Sequence, residues 1–123
     1  MYRAVILSIL LCSNVLAHEM TPTYPKWGIT YIEGVKKATM KMVNKRTDVE
    51  WYEIGLFDEK WKPIPFVTEY KILKIKYLSH KKFDVYINAK DSERTEYLCS
   101  TSKLIGDGST KPMVETRICS RFK

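Results

Sequence analysis

Apolar and polar residues alternate along four segments of the chain, a pattern that predicts half-buried β-strands. The apolar residues that share a face in each segment are Ala38, Met40 and Met42; Tyr52, Ile54 and Leu56; Leu73, Ile75 and Tyr77; and Phe83, Val85 and Ile87. Polar turn residues separate these segments roughly every ten residues. The sequence shows no helical pattern longer than two turns, and it therefore predicts an all-β domain.

Two further segments combine apolar residues with prolines. Pro22 and Pro25 lie within residues 18–26, and Pro63 and Pro65 lie within residues 61–67. Because proline has no N–H to donate to a β-ladder, we expect both segments at a sheet edge or in a loop. About seven short strands follow from the whole pattern. They favour an Ig-like antiparallel β-sandwich, with a small barrel as the alternative.

The first residues have the pattern of a secretory signal peptide. Arg3 precedes an apolar run, and Val15 and Ala17 are small residues at the −3 and −1 positions of a cleavage site. The run is shorter than the roughly 20 apolar residues of a membrane span. Leu11 before Cys12 is bulkier than lipidation signals require. We therefore predict a signal peptide at 1–17 and an exported, periplasmic or secreted domain at 18–123.

Cys99 and Cys119 are the two cysteines of the predicted mature chain. An oxidising compartment predicts a disulfide between them. If they face each other on antiparallel strands, three further pairs follow: Thr101 with Arg117, Lys103 with Glu115, and Leu104 with Val114. Residues 106–112 would then form the loop of a closing C-terminal hairpin.

The same register predicts the two faces of the last strand. Cys119 would share a polar face with Arg117 and Arg121, and the core face would carry Val114, Ile118 and Phe122. The first prediction is a surface bridge between neighbouring strands. The alternative is a bulge that turns one cysteine into the core and links the two sheets.

Charge and motifs restrict the function further. The chain has 123 residues and a net charge of +7, with most lysines alternating with apolar residues. This alternation is typical of solvated strand faces, so nucleic-acid binding is not predicted. The sequence has no recognisable catalytic motif and suggests no cofactor. A non-enzymatic binding role is therefore the first hypothesis.

A copper site is the hypothesis from another class. Cleavage after Ala17 would make His18 the N-terminal residue, whose α-amine and imidazole could chelate one metal ion. His80 could complete a flat set of three nitrogens, which suits Cu(II). This arrangement resembles the histidine brace of copper monooxygenases and of some periplasmic copper carriers. The alternative is that His80 is a solvated residue of the turn Ser79–Lys82.

The order of segments supports a second resemblance. A proline-containing start, a strand leading into residues 43–48, a strand at 52–57, a proline-rich stretch at 63–67 and then paired strands follow one another. This order resembles the N-terminal Ig-like domain of periplasmic pilus-assembly chaperones, and residues 115–122 resemble its last strand. The family's arginine in the first strand has no clear match here, and Lys26 is the nearest basic residue.

The resemblance implies that the last strand completes a partner's fold by β-augmentation. Arg117 would take the place of a basic residue that anchors the partner's terminal carboxylate. We therefore predict a protein partner that engages Arg117, Ile118, Arg121 and Phe122. The alternatives are the copper protein and a structural Ig-like protein of a cell or virion surface.

Overall fold

The computed structural model describes residues 17–103 and 115–122, which form eight strands and one helical turn. The elements are β1 (Glu19–Thr21), β2 (Gly28–Ile29), β3 (Val35–Val43), β4 (Trp51–Phe57), β5 (Ile72–Lys74), β6 (His80–Asn88), α1 (Ala89–Ser92), β7 (Tyr97–Lys103) and β8 (Arg117–Arg121). Residues 1–16 of the predicted signal peptide at 1–17, the predicted pair Leu104 with Val114 and the predicted loop at 106–112 lie outside these described residues.

The strands form two antiparallel sheets. In the first sheet β3 pairs with β6 along its whole length, and β1 and β2 pair with opposite ends of its other edge. The second sheet has the order β5-β4-β7-β8. The chain passes to the second sheet after β3, returns to the first after β5 and passes to the second again after β6. The domain is an Ig-like β-sandwich closed by a disulfide-linked C-terminal hairpin.

The core lies between the sheets and consists of the alternating residues predicted from the sequence. Ala38, Met40 and Met42 face inward from β3, and Tyr52, Ile54 and Leu56 face them from β4. Phe83, Val85, Ile87 and Leu98 complete the centre of the core. The long strands β3, β4 and β6 therefore each bury one face, which is why their sequences alternate.

The structure differs from the sequence prediction at two elements. The predicted strand at 70–77 is shortened to β5, because the chain leaves the sheet after Lys74 and turns towards β6. Tyr77 is consequently exposed and does not share the buried face of Leu73 and Ile75. Residues 89–92 lie between two predicted strands, where the sequence predicts turn residues, and they form one helical turn, which Asn88 caps by accepting from the Lys90 N–H.

The proline-rich segment 61–67 lies at the edges, as predicted. It makes single bridges through Pro63 to Phe57 and through Val67 to Tyr86. The Val67 bridge uses two backbone hydrogen bonds, of 2.9 and 2.8 Å, along the outer edge of β6. Among residues 17–103 and 115–122, no helix is long and apolar enough to cross a membrane.

Candidate functional site

The disulfide joins neighbouring strands of one sheet and does not cross the core. Cys99 lies directly opposite Cys119, and Thr101 lies opposite Arg117, so the predicted register is confirmed. The Phe122 N–H donates to the backbone carbonyl of Glu96, and the Ser102 N–H donates to the backbone carbonyl of Thr116, each at 2.8 Å. These bonds place the cysteines at a non-hydrogen-bonded pair, where side chains approach each other closely.

The outer face of this sheet carries three aromatic rings and an arginine beside the disulfide. The rings of Trp61 and Tyr97 are stacked with centroids 4.2 Å apart, and Phe57 lies 6.0 Å from Trp61. The Arg117 guanidinium carbon lies 5.2 Å from the centroid of Phe57 and 6.0 Å from that of Trp61. We call Phe57, Trp61, Tyr97 and Arg117 the aromatic–arginine cluster.

A tight turn folds Trp61 back onto the sheet. The Asp58 carboxylate accepts from the N–H groups of Lys60 and Lys62, and the Asp58 carbonyl accepts from the N–H of Trp61. The Lys62 N–H is the main group that lowers the pKa of Asp58. Trp61 has a φ of 63°, a left-handed conformation that costs free energy for a bulky residue. The turn therefore holds this indole in place although its side chain remains exposed.

Gly55 makes room for this arrangement. A Cβ at Gly55 would lie 3.0 Å from two carbon atoms of the Phe57 ring, so a larger residue would displace the ring. Cys99 lies directly opposite Gly55 and is only 1% exposed, although it belongs to the outer face. The disulfide thus lies on the outer face of the sheet, beneath the aromatic–arginine cluster.

The free edge of β8 is partly covered. The Arg121 N–H donates to the Thr23 carbonyl at 3.0 Å, so the segment after β1 protects that end of the strand. By the alternation of the ladder, the peptide groups of Arg117 and Cys119 also point away from β7. Among the described residues, no backbone partner outside the sheet is found for these two. The accessible edge is therefore short and adjoins the cluster.

The four residues predicted to contact a partner divide between two faces. Arg117 and Arg121 are exposed, and Arg121 forms an ion pair with Glu96 at 2.6 Å. Ile118 packs against the core, and Phe122 is 6% exposed and stacks on Trp27. Because these two side chains face inward, a partner on the folded domain would meet the arginines and not Ile118 or Phe122.

The structure does not bring His18 and His80 together. His18 is two residues before Met20 and, like Met20, points inward. It is 1% exposed and packs against Tyr52 with ring centroids 4.5 Å apart. His80 is exposed and points outward from β6, because it is three residues before the inward-pointing Phe83 and side chains alternate along a strand. The described residues contain no cluster of three or more His, Cys, Asp or Glu that could hold a metal ion.

His18 is instead part of a buried polar network. Its Nε2 lies 2.8 Å from Ser100 Oγ, and its Nδ1 lies 3.4 Å from Thr116 Oγ1. Ser102 Oγ accepts from the Thr116 N–H and contacts Arg46, which also forms a two-bond ion pair with Asp48. A histidine beside a serine can activate a nucleophile, but both side chains are inside the core, where a substrate has no access. The pair is structural.

The sequence analysis missed both arrangements. His18 and Ser100 are 82 residues apart, and the cluster combines residues from three strands (β4, β7 and β8) and a proline-rich loop. The sequence contained one indication of the cluster, Trp61. This aromatic residue follows the turn Asp58–Lys60 and lies outside the segments in which apolar and polar residues alternate. No protein-family model matches the chain, and no curated protein matches it significantly.

The burial of His18 predicts an acid-sensitive fold. Burial is the main factor that lowers the pKa of His18 to about 4, against an ordinary value near 6.5. Between these values the unfolded chain binds more protons than the folded one, so stability is full above about pH 6.5 and falls towards pH 4. We expect a loss of roughly 2–3 kcal/mol over this window. Urea denaturation at several pH values measures it.

The matched controls for this prediction are two histidine variants. His18→Gln should remove most of the pH dependence between pH 6.5 and 4, whatever its effect on stability at pH 7. His80→Gln should leave the dependence as it is, because His80 is exposed. A pH dependence that survives in His18→Gln would assign it to other groups. Asp48, whose pKa the Arg46 side chain lowers, loses its contribution at more acidic pH.

Proposed function

We propose that this domain is a non-enzymatic binding module that engages a protein partner through the aromatic–arginine cluster and the adjoining edge of β8. The observation that carries the proposal is the position of Arg117 over the half-buried ring of Phe57 and the exposed ring of Trp61 on the solvent face of the sheet. Tryptophan, tyrosine and arginine are the residues most enriched where interfaces concentrate their binding energy.

The rigidity of the cluster also supports binding. The stacking on Tyr97 and the hydrogen-bonded turn at Asp58 restrain the exposed Trp61 side chain. A side chain that is ordered before association loses little entropy when it is buried, which favours affinity. The positive φ of Trp61 is a local cost that a purely structural loop does not need.

The narrower version of this proposal is the chaperone-like one, in which β8 completes a partner's fold. The outward-pointing peptide groups of Arg117 and Cys119 support it, because they are suited to β-augmentation. Thr23 occupies the Arg121 end, so an added strand would pair first at Arg117. An exported location accompanies the proposal, since a disulfide is typical of oxidising compartments. A structural role on a cell or virion surface would use the same face.

Site-specific photo-crosslinking in the cells that produce the protein tests the proposal. A benzoylphenylalanine at position 61 should give an adduct of defined mass, identified by mass spectrometry. The same residue at position 31 is the control, because Tyr31 is fully exposed and lies on the β2–β3 connection. Equal adducts at both positions, or none at 61, would contradict the proposal.

The captured partner then allows an affinity measurement. Arg117→Ala should weaken binding roughly 30-fold, because truncation of a central arginine costs about 2 kcal/mol in typical interfaces. Arg94→Ala is the matched control, since Arg94 is exposed and its ion pair among the described residues is with Asp91 of the neighbouring helical turn. Titration calorimetry measures both, after circular dichroism has shown that both variants fold. Equal affinities for Arg117→Ala and the wild type would remove the cluster from the interface.

A further inference from the structure

A concentration of positive charge lies around β5, the edge strand of the second sheet opposite β8. Residues 70–82 carry five lysines and no acidic residue, whereas the whole chain has 21 basic and 14 acidic residues. The segment includes β5 and the start of β6, and β5 and β8 are the two opposite edges of the second sheet. Its lysines surround the turn between β5 and β6, with Lys74 on the outer face of the second sheet and Lys82 on that of the first. We call this set the lysine edge: Lys71, Lys74, Lys76, Lys81 and Lys82.

Glu69 and Asp84 line the same pocket as Lys81 and Lys82, but among the described residues neither forms an ion pair with the lysine edge. Within residues 17–103 and 115–122, only Lys74 of this set has an acidic partner, Glu50, at 3.8 Å. Lys82 lies directly opposite Lys41 of β3, a cross-strand pair of like charges that destabilises a sheet. A surface that keeps such a pair is suited to a ligand of opposite charge.

Aromatic rings hold several of these ammonium groups against the surface. The Nζ of Lys71 lies 5.1 Å from the centroid of Phe66, and the Nζ of Lys81 lies 5.7 Å from that of Tyr70. Lys74 is placed similarly over Trp51. Each contact contributes a modest attraction and fixes the position of the charge.

Two exposed apolar residues, which we call the apolar tip, lie in the turn between the lysines of β5 and those of β6. Tyr77 and Leu78 form the turn between β5 and β6, and Leu78 is 66% exposed. Leu78 has a φ of 60°, which is rare for a bulky residue. The Leu78 N–H donates to the Asn44 carbonyl at 2.8 Å, and the Ser79 N–H donates to the backbone carbonyl of Lys76. These bonds hold a leucine outward between Lys76 and Lys81.

We propose that the lysine edge docks onto an anionic phospholipid surface, with Tyr77 and Leu78 entering the headgroup interface. Basic residues near such a surface each strengthen association, by roughly five-fold per lysine. Aromatic and aliphatic side chains flanked by lysines suit the boundary between headgroups and acyl chains. A soluble polyanion would neutralise the same charge but would leave the apolar tip in water. The proposal is independent of the partner at β8, since the surfaces lie at opposite edges.

Vesicle sedimentation tests the proposal with the full domain. The protein should sediment with vesicles that contain phosphatidylglycerol and not with pure phosphatidylcholine. Binding should fall at least ten-fold between about 0.1 and 0.5 M salt, because salt screens exposed charges. No sedimentation with either vesicle would overturn the proposal. Equal sedimentation with both would also overturn it, because charge would then play no part.

Two variants and a control locate the contact. Lys81→Gln/Lys82→Gln should weaken binding roughly 30-fold. Leu78→Asn should weaken it about five-fold and keep its salt dependence, since asparagine tolerates the left-handed backbone but cannot enter lipid. Lys60→Gln/Lys90→Gln removes the same charge from exposed lysines elsewhere and should retain most of the binding. An equal loss in the control, or full binding by Leu78→Asn with displacement by heparin, would overturn the proposal in favour of a non-specific or soluble polyanion.

Discussion

Replacement of Asn44 by alanine should cost about 4 kcal/mol or more of folding free energy. The Asn44 side chain is fully buried and donates to the carbonyls of Val49 and Ile75, at 2.7 and 2.8 Å. Its oxygen accepts from the Arg46 N–H and the Tyr52 hydroxyl. Truncation would leave four buried polar groups without this partner, and each such group costs about 1–3 kcal/mol. The sum approaches the whole stability of a domain of this size.

Urea denaturation of Asn44→Ala measures this loss, and two further variants keep the result interpretable. Tyr52→Phe removes one of the four hydrogen bonds and should cost about 1–2 kcal/mol even if Asn44→Ala does not fold. Asn88→Ala removes an exposed helix cap and should cost about 1 kcal/mol. Similar losses for Asn44→Ala and Asn88→Ala would show that the buried network does not stabilise the fold.

Asn44 also binds the turn that carries the apolar residues of the lysine edge. Its backbone carbonyl holds the N–H of Leu78, and its side-chain amide binds the carbonyl of Ile75 in the same turn. The raised pKa of Tyr52, about 12 because of burial, keeps its hydroxyl a donor to Asn44 at all physiological pH values. The tip of the lysine edge is therefore anchored in the core.

Removal of the disulfide should cost about 3 kcal/mol. Cys99 and Cys119 are 20 positions apart, and in the chain-entropy model a bridge that closes a loop of this length stabilises the fold by about that amount. The double variant Cys99→Ala/Cys119→Ala tests this by urea denaturation, because it also avoids an unpaired thiol. We expect β8 to lose the most protection in hydrogen exchange, since β8 is an edge strand.

A second readout connects this variant to the proposed function. Arg117 lies two residues before Cys119 on the same outer face, so loosening of β8 should weaken partner binding as well as stability. The lysine edge is at the far side of the sheet, and vesicle binding should remain within about two-fold of the wild type. A stability loss below about 1 kcal/mol would show that the remaining contacts of β8 already hold the hairpin closed.

Periodicity was sufficient to predict the strands and most of the core. In a strand, successive side chains point to opposite faces, so an inward residue such as Met40 or Ile54 can be recognised from its neighbours alone. The prediction was wrong at Tyr77, because alternation continues in the sequence after the chain has left the sheet. The pairing of Cys99 with Cys119 followed from their number in the predicted mature chain. The register of the hairpin then followed from that pairing, since an antiparallel ladder allows one set of partners for a given pair.

Residue alternation and cysteine pairing thus determined the sandwich and its closing hairpin, because both depend on local geometry and one long-range link. The tertiary structure decided which side chains meet. Trp61 reaches Arg117 only because a loop folds across two strands, and His18 meets Ser100 only because the two sheets pack face to face. Alternation records whether a residue points inward or outward, but not which residue of another strand or loop lies against it. The same limit explains why His18 and His80, both plausible ligands in the sequence, lie on opposite faces of one sheet.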